Sequence, residues 1–590
     1  MKAGSADTLI GALGVLREVT AAIPYRLETP GAPDARRTRD ALVAQLDDYV
    51  VPRLRRLDAP LLAVVGGSTG AGKSTLVNSL VGSVVTSAGV LRPTTRSPVL
   101  VCHPDDRAAF EDQRVLPGLS RTTGSGNDHG TLQIVASHRL EPGLALLDAP
   151  DLDSVVVQNR ELANQLLAAA DLWLFVTTAS RYADAVPWEA LRTAASRGTE
   201  LAVVLDRVPA GAEEEIGGHL GEMLRDHGLA AAPVFVVPEA PLADGVLSDE
   251  AVAPVRDWYT ALAADADERA AVVRRTLDGA LDSLRPRIGA LRRQALAQAE
   301  TTTALYADAA TAYDDAVDSV RQGISEGTLL RGEVLARWHE FVGTGEFLRT
   351  LEARVGRLRD QLTAAVTGRP LPGRDLTVAL SSGVALLVTA AAEAAAERTA
   401  AAWRGRPAGV ALLAAAPDLG RASATLGDEV QRLVRDWQAG VLDTVRHEAG
   451  HKRTSARLTA YGVNATGLLV MVAVFASTHF ILTGAEVAVA TGTTVVSQKL
   501  LEALFGDQAV RRLADRARAD LLDRVAALLD TERERFDRRV ADVGTDQKDA
   551  DRLRAAEQAV YAARTTALPP LRAIETDQRT VQVPEREPAP

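Results

Sequence analysis

A short apolar run, Leu61 to Val65, leads into Gly66-Gly67-Ser68-Thr69-Gly70-Ala71-Gly72-Lys73-Ser74-Thr75, and Leu76, Val77 and Leu80 follow at helical spacing. Few folds accommodate a strand, a glycine-rich turn and a helix in that order with a Lys-Ser pair closing the turn. The glycines let successive backbone amides face one point, and the helix that opens there adds the positive end of its dipole. A chain of phosphates is the ligand such a turn suits: Lys73 supplies a point charge, and the Ser74 hydroxyl suits Mg2+. The candidate nucleotide-binding set is therefore Gly67, Ser68, Thr69, Gly70, Ala71, Gly72, Lys73, Ser74 and Thr75. Lysine is scarce in this chain, occurring only at Lys2, Lys73, Lys452, Lys499 and Lys548. With arginine supplying every other formal cation, a lysine at this point is a specific choice.

The surroundings of the turn have the same texture. Val99 to Cys102, Leu132 to Val135, Leu144 to Leu147, Leu172 to Val176, Leu201 to Leu205 and Val234 to Val237 are short apolar runs separated by Gly, Pro and Asp. Helical stretches such as Ser74 to Val81, Arg160 to Ala170 and Ala185 to Ser196 lie between several of them. Buried strands alternating with helices predict an α/β P-loop domain with a mostly parallel sheet over residues 59–245. Leu9 to Ile23 and Ala35 to Leu57 predict helices within residues 1–58, ahead of that domain and joining the bundle. After Pro254 the pattern is helical for some 300 residues, an estimate by periodicity, with Pro-containing breaks at Arg369 to Pro372 and Arg406 to Pro407. This predicts an all-α bundle or stalk over 246–457 and 506–570. The polar, Pro-rich end, 571–590, predicts a disordered tail.

Two further elements of a phosphate site are visible. Asp148 ends the run Leu144-Ala145-Leu146-Leu147 and is the candidate carboxylate behind Mg2+. In the Asp-x-x-Gly pattern of GTPases the closing glycine offers its amide to the γ-phosphate, and here that place is held by Asp151. A carboxylate there repels phosphate unless it is turned away. The loop Leu91-Arg92-Pro93-Thr94-Thr95-Arg96-Ser97-Pro98 carries two hydroxyls, and Thr95 is preferred to Thr94 as the residue that completes Mg2+ coordination when a γ-phosphate is present.

With these residues in hand, the chain resembles the bacterial dynamin-like large GTPases, in particular their actinobacterial branch. The resemblance rests on the preceding helices, the P-loop, Pro93-Thr94-Thr95, the Asp148 motif and a helical region interrupted by one apolar segment. It implies GTP as ligand, Mg2+ as cofactor, hydrolysis, pairing with a second copy or a paralogue through the GTPase domains, and binding or remodelling of membrane lipid. The family's guanine motif, Asn/Thr-Lys-x-Asp, falls on Asp206-Arg207-Val208-Pro209, so Asp206 and Arg207 are the base-binding candidates and proline replaces the aspartate that grips guanine. Thr69-Gly70 stand where the family carries Gln-Ser.

Between Arg457 and Lys499 the only formally charged residue is Glu486. Gly462 to Leu482 is long enough, at about 1.5 Å per residue, to cross a hydrocarbon core of roughly 30 Å. Thr483-Gly484-Ala485-Glu486 then supplies a turn before Val487 to Val496, which predicts a hydrophobic membrane-binding hairpin over 458–505. Basic residues flank it on both sides, as expected if both ends stay beside anionic headgroups. The second apolar run, Leu376 to Ala392, is Ala-rich and is read as core.

Composition narrows the function classes. A net charge of −11 argues against a surface dedicated to nucleic acid. One cysteine excludes an intrachain disulfide and, with no signal-peptide pattern in Met1 to Thr20, leads to the expectation of a cytoplasmic protein at the inner face of the cell membrane. The leading expectation is a dynamin-like GTPase whose nucleotide state controls self-association and membrane binding. A low-turnover nucleotide-binding scaffold, suggested by Asp151 and Pro209, and a P-loop ATPase with a helical lever, suggested by the missing guanine aspartate, stay open beside it.

Overall fold

The computed structural model describes residues 3–86, 97–111, 116, 119–122, 131–154, 157–184, 188–189, 191–192, 194–195, 199–325, 373–450 and 507–568. Thr95, the predicted hairpin over 458–505, the proline break at 369–372 and the tail 571–590 lie outside the described residues. The chain divides into two compact units, one made of Met1–Pro24, Pro33–Leu296 and Gln547–Pro590, the other of Tyr25–Ala32 and Ala297–Asp546.

The first unit is built on eight strands: β1 (Leu61–Gly67), β2 (Val99–Cys102), β3 (Ser120–Thr122), β4 (Thr131–Ala136), β5 (Leu144–Asp148), β6 (Leu172–Thr178), β7 (Glu200–Val208) and β8 (Val234–Pro238). They form one sheet in the order β3-β4-β2-β5-β1-β6-β7-β8. All neighbours are parallel except β2 and β5, so the three strands on one side run against the other five. Seven strands coincide with the apolar runs. The strand missed by pattern, β3, reads Ser-Arg-Thr and has no buried residue, as suits a short edge strand. β1, β5 and β6 are buried along their whole length. Both of their faces are covered, which is why their sequences are continuous apolar runs without alternation.

Helices of this unit include Lys73–Val81, Val157–Ala168, Glu213–Asp226 and Ala253–Ala264. The predicted helix Ala35 to Leu57 is observed in three pieces: Ala32–Gln45, a π-turn Leu46–Val50, and Val51–Arg55 with Pro52 in its first turn. Pro52 has no N–H to donate, so it fits the opening of a new helical segment better than the interior of an old one. The N-terminal helix Ala3–Ala22 packs against Gln547–Ala567 near the other end of the chain.

Among its described residues the second unit has helices and no strand. Its core gathers Leu305, Ala309, Tyr313 and Val320 with Trp403, Val430, Trp437 and Phe536. The many alanines let backbones approach closely, and the few large rings fill what remains. The Trp403 ring stands edge-on to Phe536, 5.2 Å between centroids. Each buried indole has a partner: Trp403 Nε1 donates to the Leu305 carbonyl (3.2 Å) and Trp437 Nε1 to that of Ala517 (2.8 Å). The Ala-rich run ending at Ala392 belongs to the helix Gly373–Arg404, and Val384, Val388, Ala391 and Ala392 are in this core. The break at 406 is where the next helix, Pro407–Ala415, starts with proline in its first turn. Among the described residues no helix is long and apolar enough to cross a membrane.

Candidate phosphate site

The site stands at the carboxyl end of the central strands, the usual ligand end of a parallel α/β sheet. Val65 of β1 is in register with Asp148 of β5. The turn that leaves β1 after Gly67 therefore begins beside the Asp148 carboxyl. Two glycines of the turn are required by contact. A Cβ on Gly67 would lie 2.1 Å from the Val176 carbonyl oxygen, and one on Gly72 would lie 2.2 Å from Asp206 Oδ2. Gly72 also has φ +95°, which L side chains rarely adopt. The helix Lys73–Val81 starts immediately after it and ends on Gly82, again left-handed.

Ser74 and Asp148 meet as expected from sequence: Ser74 Oγ donates to Asp148 Oδ2 at 2.7 Å. Thr86 was not anticipated. Its hydroxyl donates to the same oxygen at 2.6 Å, and Asn78 fixes its backbone, accepting from the amides of Val85 and Thr86 and donating to the Thr86 carbonyl. Asp148 is wholly buried, and its Oδ1 has no hydrogen-bond partner. Burial raises its pKa, opposed by the Thr86 and Ser74 hydroxyls and by the charge of Lys73. An unpartnered buried oxygen beside two hydroxyls is a hard, all-oxygen donor set, which fits Mg2+. Among the described residues no group of three or more His, Cys, Asp and Glu side chains could hold a metal ion by itself.

Lys73 is 5% exposed and is held by the carbonyls of Gly67 (3.1 Å) and Ser68 (3.0 Å) and by an ion pair with Asp151. The segment after β5 thus turns Asp151 toward the P-loop lysine, not away from it. Two residues further on, Asp153 Oδ1 accepts from the Thr69 amide (2.5 Å) and the Thr69 hydroxyl (2.6 Å). Its Oδ2 accepts from Arg181 Nη2 at 3.0 Å. Arg181 also donates to the Thr69 carbonyl (2.8 Å) and to Asp184 (2.9 Å). Burial works against the Asp153 charge, but the Thr69 and Arg181 hydrogen bonds outweigh it and hold this carboxyl below the ordinary range.

The base-binding candidates sit at the end of β7. A β-bulge between Leu205 and Val208 breaks the register with β8 there, and Arg207 has φ +54°. The bulge re-aims Asp206, whose carboxyl packs on Gly72 and is raised in pKa, first by burial. Arg207 is half exposed, its Nε 3.7 Å from Asp206.

Of the residues singled out from sequence, Lys73, Ser74, Asp148 and Asp206 stand together at this turn; Thr86, Asp153 and Arg181 stand there too, and of these only the aspartate carries any sequence signal. The crowding of Asp148, Asp151 and Asp153 within six residues was the one available signal. Nothing near Thr86 or Arg181 in the chain marks them.

A strand, a glycine-rich turn and a helix, with a lysine and a carboxylate-bound serine at the helix start, define the fold as that of a P-loop domain. Among known proteins, the chain is 26% identical over 132 residues to a probable chloroplastic transmembrane GTPase, FZO-like, of Arabidopsis thaliana. That stretch is 22% of this chain and only 13% of the relative's length. No protein-family model matches. Among solved structures it is similar to a chain of an oligomerised bacterial dynamin pair described as sensing and tethering membranes at long range, at 10% identity over 94% of this chain and 95% of that one, TM-score 0.35. Toc33 from Arabidopsis thaliana, in complex with Mg2+ and GMPPNP, matches 40% of this chain and 92% of its own, at 16% identity and TM-score 0.24.

Proposed function

We propose that this protein is a dynamin-like GTPase that couples GTP binding and hydrolysis to self-association and membrane binding. The observation that carries the reading is the convergence of Lys73, Ser74 and the partly unpartnered Asp148 carboxyl on one P-loop. The similarity of a 132-residue stretch to a GTPase supports it. In this reading Gly67 to Thr75 cradle the phosphates through their amides, with Lys73 neutralising phosphate oxygens. Ser74 directly and Asp148 indirectly would hold Mg2+, which when bound supplies electrostatic stabilisation of the phosphate charge. Thr95 closes over the γ-phosphate, and Asp206 and Arg207 lie at the base end. The test is phosphate release with GTP and ATP in parallel. GTP turnover is expected in the wild type and a loss of at least about 100-fold in Lys73→Ala, the scale on which preorganised charge acts. Faster turnover of ATP than GTP, or undiminished turnover in a folded Lys73→Ala protein, overturns the assignment.

A second reading, a low-turnover nucleotide-binding scaffold, is favoured by one observation: Asp151 is paired with Lys73 where a γ-phosphate partner is expected. Binding of GTP without phosphate release in the same assay selects it.

The membrane part of the proposal rests on Gly462 to Val496. Val470→Asp/Val474→Asp is expected to abolish co-sedimentation with anionic liposomes while leaving thermal unfolding unchanged, since each charge costs about 2.5–3.5 kcal/mol near a bilayer centre. Unchanged lipid binding removes the membrane assignment. Loss of folding together with loss of binding is the outcome that a hairpin buried in the helical core predicts, and it leaves the membrane assignment unproven.

A further inference from the structure

Asp151 and Asp153 do not merely flank the P-loop; they occupy its anion-binding groups. The Lys73 ammonium is paired with Asp151. The Thr69 amide and hydroxyl both donate to Asp153 Oδ1, at 2.5 and 2.6 Å. These are a cation and backbone and hydroxyl donors of the kind that hold phosphate oxygens, each engaged by a carboxylate oxygen from one short segment after β5.

The engagement is built into the backbone. The Ala149 amide donates to the Val65 carbonyl (3.2 Å) and the Leu152 amide to that of Gly67 (3.3 Å), so the segment is hydrogen-bonded to β1 as it passes the turn. Arg181 closes a ring, donating at once to Asp153 and to the Thr69 carbonyl. Its own position is fixed by Asp184 and by the hydrogen bond that its backbone amide donates to the Thr178 carbonyl at the end of β6 (2.9 Å). Asp151 and Asp153 side chains are 22% and 15% exposed, so solvent screens their contacts only in part.

We infer that Asp151 and Asp153 act as an internal anion that competes with the triphosphate for Lys73 and Thr69, and that they thereby set nucleotide affinity. The inference rests on the nucleotide reading above. A bound phosphate chain and two carboxylates cannot share the same donors, and their like charges repel. Binding therefore requires the 151–153 segment to release the P-loop, and apparent affinity falls by the fraction of molecules in which it has done so. If nine molecules in ten are latched, the dissociation constant is about tenfold higher than that of the open site. The sign is diagnostic, because residues that shape or ligate a site weaken binding when removed, whereas a competitor strengthens it.

The experiment is calorimetric titration of the full chain with Mg2+-GTP and, separately, Mg2+-ATP, for the wild type, Lys73→Ala, Asp151→Ala/Asp153→Ala and the isosteric Asp151→Asn/Asp153→Asn. Both double variants are expected to bind GTP about tenfold more tightly than wild type, with Lys73→Ala losing binding. Should the alanine pair fail to fold, the asparagine pair, which keeps side-chain volume, decides. Folded double variants that bind no more tightly than wild type, or more weakly, overturn the inference alone. If neither nucleotide binds the wild type or any variant, the nucleotide reading falls and the inference with it. Binding seen only in the double variants supports both.

Discussion

Two buried aspartates stand at opposite ends of the same sheet, and their surroundings differ in kind. Asp171 precedes β6 at the amino end. Its Oδ2 accepts from the Leu62 amide (2.9 Å), and its Oδ1 accepts from Tyr49 (3.2 Å) and lies 3.1 Å from Arg53 Nε. Arg53 is itself tied to the Ala59 carbonyl, and Thr276 donates to the Asp171 main-chain carbonyl, so the helix before the sheet is fastened to the carboxylate and the helix after it to the backbone of the same residue. Asp148 closes β5 at the carboxyl end and receives only two neutral hydroxyls on one oxygen, while the other has none. Burial raises both pKa values; Arg53, Leu62 and Tyr49 oppose it at Asp171, and chiefly hydroxyls do so at Asp148. A satisfied carboxylate with an adjacent cation is a fastening. A buried one with an unpartnered oxygen is the arrangement that the proposed Mg2+ site would use.

The comparison is most sharply tested at the fastened end. Arg53→Ala leaves Asp171 buried without its cation, and breaking a buried pair from one side costs about 3–5 kcal/mol. The expected outcome is a large drop in the denaturant midpoint with nucleotide affinity per folded molecule unchanged. Equal stability of variant and wild type would mean that the Asp171 cluster fastens nothing.

A smaller and opposite effect is expected at the open end. Asp148→Asn keeps the shape and removes a charge that burial disfavours, so stability should stay level or rise by about 1 kcal/mol, the scale of a single hydrogen-bond change, while Mg2+-dependent binding is lost. The pH dependence follows from the raised pKa. The protonated folded form contributes stability that is full below the ordinary aspartate value of about 3.9 and is lost as pH rises through the raised folded value. The melting temperature of Asp148→Asn relative to wild type should therefore improve between pH 4 and pH 7. A parallel pair of curves would show that Asp148 titrates as an ordinary carboxyl.

Much of the first unit was legible because its signals are local. Strands β1, β5 and β6 are buried on both faces and so read as unbroken apolar runs; the glycines, Lys73 and Ser74 are consecutive; Asp148 ends a strand. β3 was not legible, since an edge strand of three residues buries nothing and leaves no pattern. The antiparallel direction of β2 against β5 was not legible either, because an apolar run looks the same read from either end of its strand.

The sequence by itself determined that this chain has a P-loop on an α/β sheet followed by a long helical region, because strand, turn and helix periodicities are carried by neighbouring residues. Only the tertiary structure decided what the P-loop touches. The contacts of Thr86 with Asp148, Thr69 with Asp153 and Arg181 with Thr69 span 62, 84 and 112 residues of chain. Asp151 illustrates the difference: from sequence it either turns away from the phosphate site or alters it, and in the fold its pairing with the Lys73 ammonium, 78 residues away in sequence, sets its direction. Such pairings depend on the strand order, with β5 and β6 on either side of β1, which is settled by how whole elements pack and by no residue's neighbours in sequence.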